Sequence, residues 1–303
     1  MKKMIRLCFC MLALLLAMAQ PLSAAAATLN TAAPCSLTLH YVRENTPFQN
    51  LKIEIFRVAA YESDGSYALT APFTNYPVKI HGIQSQKEWQ ESTQAMVSYV
   101  KAEALSPTVT GKTDATGTVV FQNLTTGLYL VMDAEAQTEA EKFRFQPFFM
   151  FLPTPTDSGN DYDVEAYPKP GAVTPVNQYK VVKLWKDSGI SQKRPSSVTV
   201  EILKDGVLQE TVTLSQENNW SYTWTAKDAS GQWTVTEKNV PAGYNVAISS
   251  QNGIFTITNE YPQDPGIPPK TGDSTQLWFY IVALCGSGLA LILLGSPRKR
   301  KQA

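Results

Sequence analysis

Residues 277–294 form an uncharged run of eighteen apolar and small residues, and Arg298-Lys299-Arg300-Lys301 follows it almost at once. At ~1.5 Å rise per residue, such a run in helical form reaches close to the ~30 Å of a hydrocarbon core. Four cations behind it resist translocation and hold that end in the cytoplasm. The body of the chain is therefore expected outside the membrane, with a short basic stub inside. That placement limits what the body can be built from.

The other end carries a targeting pattern of its own. Lys2, Lys3 and Arg6 precede an apolar stretch over 7–18, and small residues over 23–27 offer cleavage after Ala25 or Ala27. Residues 1–27 thus read as a secretory signal peptide. The chain has 26 cations and 26 anions, but seven of the cations and only one anion, Asp273, lie in the terminal segments, leaving the rest net acidic by six. Nucleic acid calls for clustered cations, so it is not an expected partner. Cys8 and Cys10 fall in the signal segment and Cys285 in the apolar run, so Cys35 stands alone outside. No intramolecular disulfide is then possible. An exported body of this kind must be held by packing or by some other covalent link.

A chain of 303 residues leaves room for two domains, expected over 28–170 and 176–262 with a linker of proline and small residues over 171–175. In the first, Leu37, Leu39 and Tyr41 alternate with Ser36, Thr38 and His40, and Ile53, Ile55 and Arg57 alternate with Lys52, Glu54 and Phe56. Further strands are expected over 118–124, 127–133, 143–152 and 162–167. One segment departs from this period. Ser85-Gln86-Lys87-Glu88 is a capping box, in which Ser85 accepts from the Glu88 backbone and Glu88 reaches back. Trp89, Met96, Val100 and Ala104 follow on one helical face, and Pro107 closes the segment.

The second domain places polar groups where a core is expected. Val181, Lys183 and Trp185 share one face of a strand, as do Trp233, Val235 and Glu237, and Phe255, Ile257 and Asn259. A lysine, a glutamate and an asparagine thus point into one apolar interior. Burial disfavours both charged forms, moving Lys183 toward amine and Glu237 toward acid. One outcome is a buried salt bridge satisfied by Asn259. The other is reaction, since a neutral amine is a nucleophile and a protonated acid polarises an amide carbonyl.

Three resemblances bear on this. Pro268-Pro269-Lys270-Thr271-Gly272, before the apolar run and basic tail, resembles the Leu-Pro-x-Thr-Gly sorting signal of Gram-positive surface proteins, with Pro268 in place of leucine. That resemblance implies a sortase that cleaves between Thr271 and Gly272 and passes the Thr271 acyl group to an amine. Residues 176–262 are similar throughout to the B-type repeat of collagen adhesins. The likeness rests on Lys183-Leu184-Trp185-Lys186-Asp187, Arg194-Pro195, the stretch 220–224, Trp233 to Glu237, Pro241-Ala242-Gly243-Tyr244 and Ile257-Thr258-Asn259-Glu260. It implies an antiparallel sandwich with a Lys183–Asn259 isopeptide bond assisted by Glu237. In the first domain, Thr113 to Gly117 leading into 118–129 resembles the hairpin of pilin and adhesin B-type sandwiches, and Tyr167-Pro168-Lys169 resembles the pilin motif whose lysine joins the next subunit. Tyr41, Asp133 and Pro170 stand where that family's first domain has its cross-linking residues, so no isopeptide bond is expected there.

The fold class expected is all-β: two tandem immunoglobulin-like B-type sandwiches, the first with a helical insertion, then a Pro-rich linker over 263–276, a membrane helix over 277–295 and a cytoplasmic tail over 296–303. The two histidines, His40 and His81, come with no second ligand motif, so no metal is expected, nor any other cofactor. No nucleophile elbow or phosphate loop is present, and an enzyme is not expected. Two functions remain. One is a structural subunit of a sortase-assembled pilus on the cell wall, with sortase, neighbouring pilin subunits and peptidoglycan as partners and a host surface as an open one. The other is a monomeric wall-anchored adhesin or stalk, which has no use for Lys169.

Overall fold

The period-two runs become strands. A computed structural model describes residues 29–62, 66–138, 141–173, 176–187, 190–226 and 231–262. The signal segment, the sorting signal, the apolar run and the basic tail lie outside these residues. Among the described residues no helix is long and apolar enough to cross a membrane.

In the N-terminal half, β1 (Cys35–His40) lies between β10 (Asp163–Ala166), parallel to it, and β5 (Thr118–Leu124), antiparallel. A second sheet runs β9 (Phe148–Leu152), β6 (Gly127–Val131), β2 (Lys52–Tyr61) and β3 (Tyr67–Leu69), with β4 (Val109–Lys112) also on β2. A third joins β7 (Ala134–Gln137), β8 (Lys142–Phe145) and β11 (Pro170–Ala172). Leu37 and Leu39 of β1, Val119 and Phe121 of β5, Ile53 and Ile55 of β2 and Tyr129 and Val131 of β6 close one core. At the hairpin before β5, Asp114 accepts from the Thr116 and Thr118 backbone at 2.8 and 3.0 Å. Gly117 closes it at φ +76°, where a Cβ would lie 2.5 Å from the Tyr41 carbonyl.

In the C-terminal half, β12 (Gln178–Lys186) lies between β15 (Ser221–Thr225), antiparallel, and β18 (Ile254–Glu260), parallel, and β17 (Asn245–Gln251) borders β18. The facing sheet is β14 (Val207–Ser215), β13 (Ser197–Lys204) and β16 (Trp233–Lys238).

The helix α1 (Gln86–Ala102) changes the relation between the halves. The alternation in β2 and β6 leaves Phe56, Val58, Leu128 and Leu130 on the face away from the first core. These residues are buried, and they belong to one cluster with Met96, Val97 and Val100 of α1 and with Val235, Val246 and Ile248 of the C-terminal half. The helix therefore buries more than one face: Ser92, Thr93, Ala95 and Ser98 are covered along with Met96 and Val100. Val246 donates its backbone N–H to Pro77 at 2.7 Å, and Lys101 reaches both Asp133 and Gln232. The expected insertion is thus a packing element shared by both halves.

Three expectations are corrected in detail. Ser85 caps the helix by accepting from Glu88 N at 3.2 Å, but the Glu88 carboxylate turns to Gln84 N at 2.9 Å instead of back to Ser85. Ala104 is not on the buried face: the helix ends at Ala102, and Ala104 is exposed at φ +48°. The stretch 171–175 begins as strand and not as linker, because Gly171 and Ala172 pair with Arg144 and Phe143.

Met96→Ala removes a fully buried side chain from the shared cluster and should cost about 2–5 kcal/mol. Four of the five described tryptophans lie in the C-terminal half. Their fluorescence should therefore report a lower urea midpoint for this substitution in the N-terminal half, and an unchanged one would contradict a shared core.

Candidate functional site

Three neighbouring strands deliver the polar groups. Lys183 on β12 lies beside Ile257 of the parallel β18, and two positions on Trp185 lies beside Asn259. Glu237 comes from β16 in the facing sheet, where it pairs with Val200 of β13. Period-two alternation turns each of the three inward. Lys183, Glu237 and Asn259 are 3, 4 and 0% exposed. The side chains expected to meet in one core do meet there.

Lys183 Nζ lies 3.6 Å from Glu237 Oε2, an ion-pair distance longer than a hydrogen bond, and Asn259 Nδ2 donates to Glu237 Oε1 at 2.8 Å. The amine also donates to the Leu184 carbonyl at 2.9 Å and sits 4.1 Å from the centre of the Trp185 ring. Glu237 Oε2 and Asn259 Oδ1 are buried with no hydrogen-bond partner among the described residues. Glu237 thus stands between the other two, one oxygen facing each.

Burial sets the charge states. Desolvation pulls the Lys183 amine down to about 8, against the opposing pull of Glu237. Desolvation likewise raises Glu237, against Lys183 and the Asn259 hydrogen bond. Both shifts favour the uncharged pair. A half-turn of the Asn259 amide exchanges its oxygen and nitrogen, so protonated Glu237 finds an acceptor where the carboxylate found a donor. The arrangement can hold a neutral amine, a proton on an acid and a polarised carbonyl in one dry space.

Residues for which no role was expected surround the three. Asp187, 3% exposed, takes two hydrogen bonds from the Arg194 guanidinium and one from the Tyr244 hydroxyl at 2.7 Å. Tyr244 and Trp220 meet Trp185 edge to face at 5.2 and 5.6 Å. The signal was available in the sequence as an aspartate just past the lysine strand and an arginine seven residues on.

The N-terminal positions are used differently. Tyr41 is buried with its ring against Phe145 at 4.8 Å, and Pro170 pairs with that same Phe145 in the sheet. Asp133 faces α1, with its Oδ1 3.0 Å from Lys101 Nζ. Lys169 is exposed between β10 and β11. Two residues before it, Tyr167 stacks on His40 at 4.5 Å. Pro268, Pro269, Lys270, Thr271 and Gly272 lie outside the described residues. Among the described residues no three His, Cys, Asp or Glu side chains gather as metal ligands.

Comparison with known proteins follows the same division of the chain. Residues 179–260 match the family model of the Cna protein B-type domain. Over that stretch the chain is similar to a Cna B-type domain. A collagen adhesin from Staphylococcus aureus is 36% identical over 107 residues, covering 31% of this chain and 9% of the adhesin. The chain therefore spans about a tenth of that relative. Two B repeat units of the S. aureus collagen-binding protein are 15% identical, covering 76% of this chain and 49% of that chain at a TM-score of 0.27. The full-length major pilin SpaD from Corynebacterium diphtheriae is 15% identical, covering 77% and 65% at a TM-score of 0.31.

Asn259→Ala keeps the buried Lys183 and Glu237 of the C-terminal half but removes the amide. Between about 8 and 10.5, folded Lys183 holds fewer protons than unfolded Lys183. Stability of this variant should therefore rise with pH through that window. Glu237, raised above 4.5, contributes with the opposite sign on the acid side, where folding retains a proton. Urea midpoints at pH 8 and 10 check this, and the rise should vanish in Lys183→Met, Asn259→Ala.

Proposed function

We infer that this protein is a structural subunit of a sortase-assembled surface pilus, stapled internally by a Lys183–Asn259 isopeptide bond. The observation that carries the reading is the burial of Lys183, Glu237 and Asn259 with Glu237 in contact with both partners. An unreacted pair of charges in such a place is costly to hold. In the reaction, Nζ of the neutral Lys183 attacks Cγ of Asn259 while Glu237 donates its proton to the amide oxygen. Collapse of the adduct breaks Cγ–Nδ2. Glu237 passes the proton lost by the amine to the departing nitrogen and takes back the proton it gave to the oxygen as the carbonyl re-forms, so ammonia leaves, an amide remains and Glu237 ends as the acid. No oxidant or cofactor enters.

Such a link ties β12 to β18 and closes the loop from residue 183 to residue 259. By the loop-entropy estimate a closure of this length contributes about 4 kcal/mol. It supplies what Cys35, buried and the one cysteine among the described residues, does not. The two halves are read as tandem B-type sandwiches over 28–170 and 176–262, exported by the signal over 1–27. The run over 277–295 and the tail over 296–303 hold the precursor until sortase cleaves after Thr271. Lys169 is the acceptor amine for a neighbouring subunit, and the final acceptor is peptidoglycan. Its exposure, between two prolines that withhold backbone donors, supports that role.

The mature protein should weigh about 17 Da less than its sequence, one ammonia, with a branched Lys183–Asn259 peptide in digests. Glu237→Gln should lack the loss and melt roughly 10 °C lower. Cells should show SDS-resistant ladders that Lys169→Ala abolishes. Mass equal to the plain sequence would remove the staple, and a single band from wild-type cells would favour the monomeric adhesin or stalk.

A further inference from the structure

The proposed reaction has a requirement that the three reacting side chains do not meet alone. Lys183 must shed its charge, and Asp187 lies only four residues along the same chain. An isolated carboxylate at that place, fully desolvated, would hold the lysine as an ammonium. The charged and titratable groups facing Lys183 come from every element around it: Glu237 on β16, Asp187 at the end of β12, Arg194 ahead of β13 and Tyr244 ahead of β17. Asn259 on β18 and Trp220 and Trp185 complete the wall without charge.

Asp187 is not isolated. Its side chain has no solvent exposure, and Arg194 engages it with both Nε, at 2.7 Å, and Nη2. Tyr244 Oη closes on Asp187 Oδ2 at 2.7 Å. The same Arg194 guanidinium lies 5.7 Å from the centre of the Trp185 ring, on which Lys183 Nζ sits at 4.1 Å. Both cations therefore rest on one indole, less than 10 Å apart. Tyr244 braces that indole edge to face at 5.2 Å. A planar, permanently charged fork suits this place, because it neutralises the carboxylate without a proton that could wander.

We propose that the Asp187–Arg194 pair, clamped by Tyr244, is a positioning and charge-setting element of the cross-linking site: Arg194 cancels the Asp187 carboxylate so that Lys183 remains an uncharged nucleophile, and the clamp holds the Trp185 wall beneath it. This rests on the Lys183–Asn259 reading. The directions of the fields agree, since Asp187 pulls Lys183 toward its charged form and Arg194 pushes it away. Neither residue touches the reacting atoms.

The test is the pH dependence of bond formation in the full chain, synthesised cell-free in detergent and transferred to buffers from pH 6 to 10. The branched Lys183–Asn259 peptide is quantified against time. Arg194→Met leaves Asp187 uncompensated, so the pH of half-maximal rate should rise by about one unit for charges at this separation and an effective dielectric of ~20. Asp187→Asn leaves Arg194 uncompensated and should move that pH down. The double variant should return close to wild type, and Arg194→Lys should keep the wild-type midpoint at a lower rate. Rates that fall equally at all pH values, or midpoints that move the same way in both single variants, would reduce the pair to scaffolding and overturn the proposal. Should Arg194→Met fail to fold, the downward shift in Asp187→Asn decides alone. A wild-type chain that forms no branched peptide at any pH overturns the cross-linking reading and this inference together, whereas a cross-linked wild type with immobile midpoints overturns only the latter.

Discussion

An amine and a carboxyl group with no access to water, and an amide against them, impose a condition on everything around them. Each charge taken into such a place loses several kcal/mol of hydration unless geometry returns it. At 3.6 Å the Lys183–Glu237 approach returns part of it, and Glu237 Oε2 and Asn259 Oδ1, without a hydrogen-bond partner among the described residues, leave a deficit. The wall of Trp185, Val181, Phe255 and Ile257 prevents water from making it good. The surroundings favour neutral species. The sheet arrangement that places β12 beside β18, with β16 opposite, creates that condition and removes its alternatives.

Helix α1 carries the consequence into the other half. A sheet with both faces buried, as β2 and β6 are, needs cover on the side away from its sandwich, and α1 provides it with Met96, Val97 and Val100. The helix in turn exceeds what one sheet can cover, so its remaining surface lies against β17 and β16. Asp133, Lys101 and Gln232 join the halves by hydrogen bonds at the same seam. Interfaces within a chain are commonly more polar and looser than this. Here one continuous apolar cluster runs from Phe56 to Ile257. Constraint applied to the C-terminal half is therefore felt in the N-terminal half through packing.

The sequence was legible where one residue's periodicity decides the outcome. Alternation in Leu37–Leu39, in Val181–Lys183–Trp185 and in Phe255–Ile257–Asn259 places the strands and turns the three polar groups inward. Ser85 announced the start of α1. What stayed hidden depends on partners distant in sequence. Phe56 reads as the solvent member of an alternating strand, and only the helix laid over it makes it core. Ala104 continues the helical period, but the chain leaves the helix at Ala102 and turns left-handed. Asp187 and Arg194 look like surface charges, because nothing local tells that Tyr244, more than fifty residues on, will bury the carboxylate. Gly171 and Ala172 read as linker since small residues beside proline lack a strand signature, and pairing with β8 supplied it.

The asymmetry between the halves follows from where force would enter on the proposed reading. Tension between subunits enters at Lys169 and leaves at Thr271, so residues 28–166 lie outside the path altogether. Within the path, β11 leads to β12, and β12 runs parallel to β18 with their pairing spanning Lys180–Ile254 to Lys186–Glu260. A pull on the start of one and the end of the other shears the whole ladder. An amide between Lys183 and Asn259 carries that pull directly from strand to strand, and residues 184–258 no longer extend under it. The N-terminal half has no such load to bear. There Tyr41 packs on Phe145, and Asp133 holds Lys101 and thereby the helix. On the proposed reading the chemistry belongs to the half that the load crosses, while in the other half Tyr41 and Asp133 serve packing.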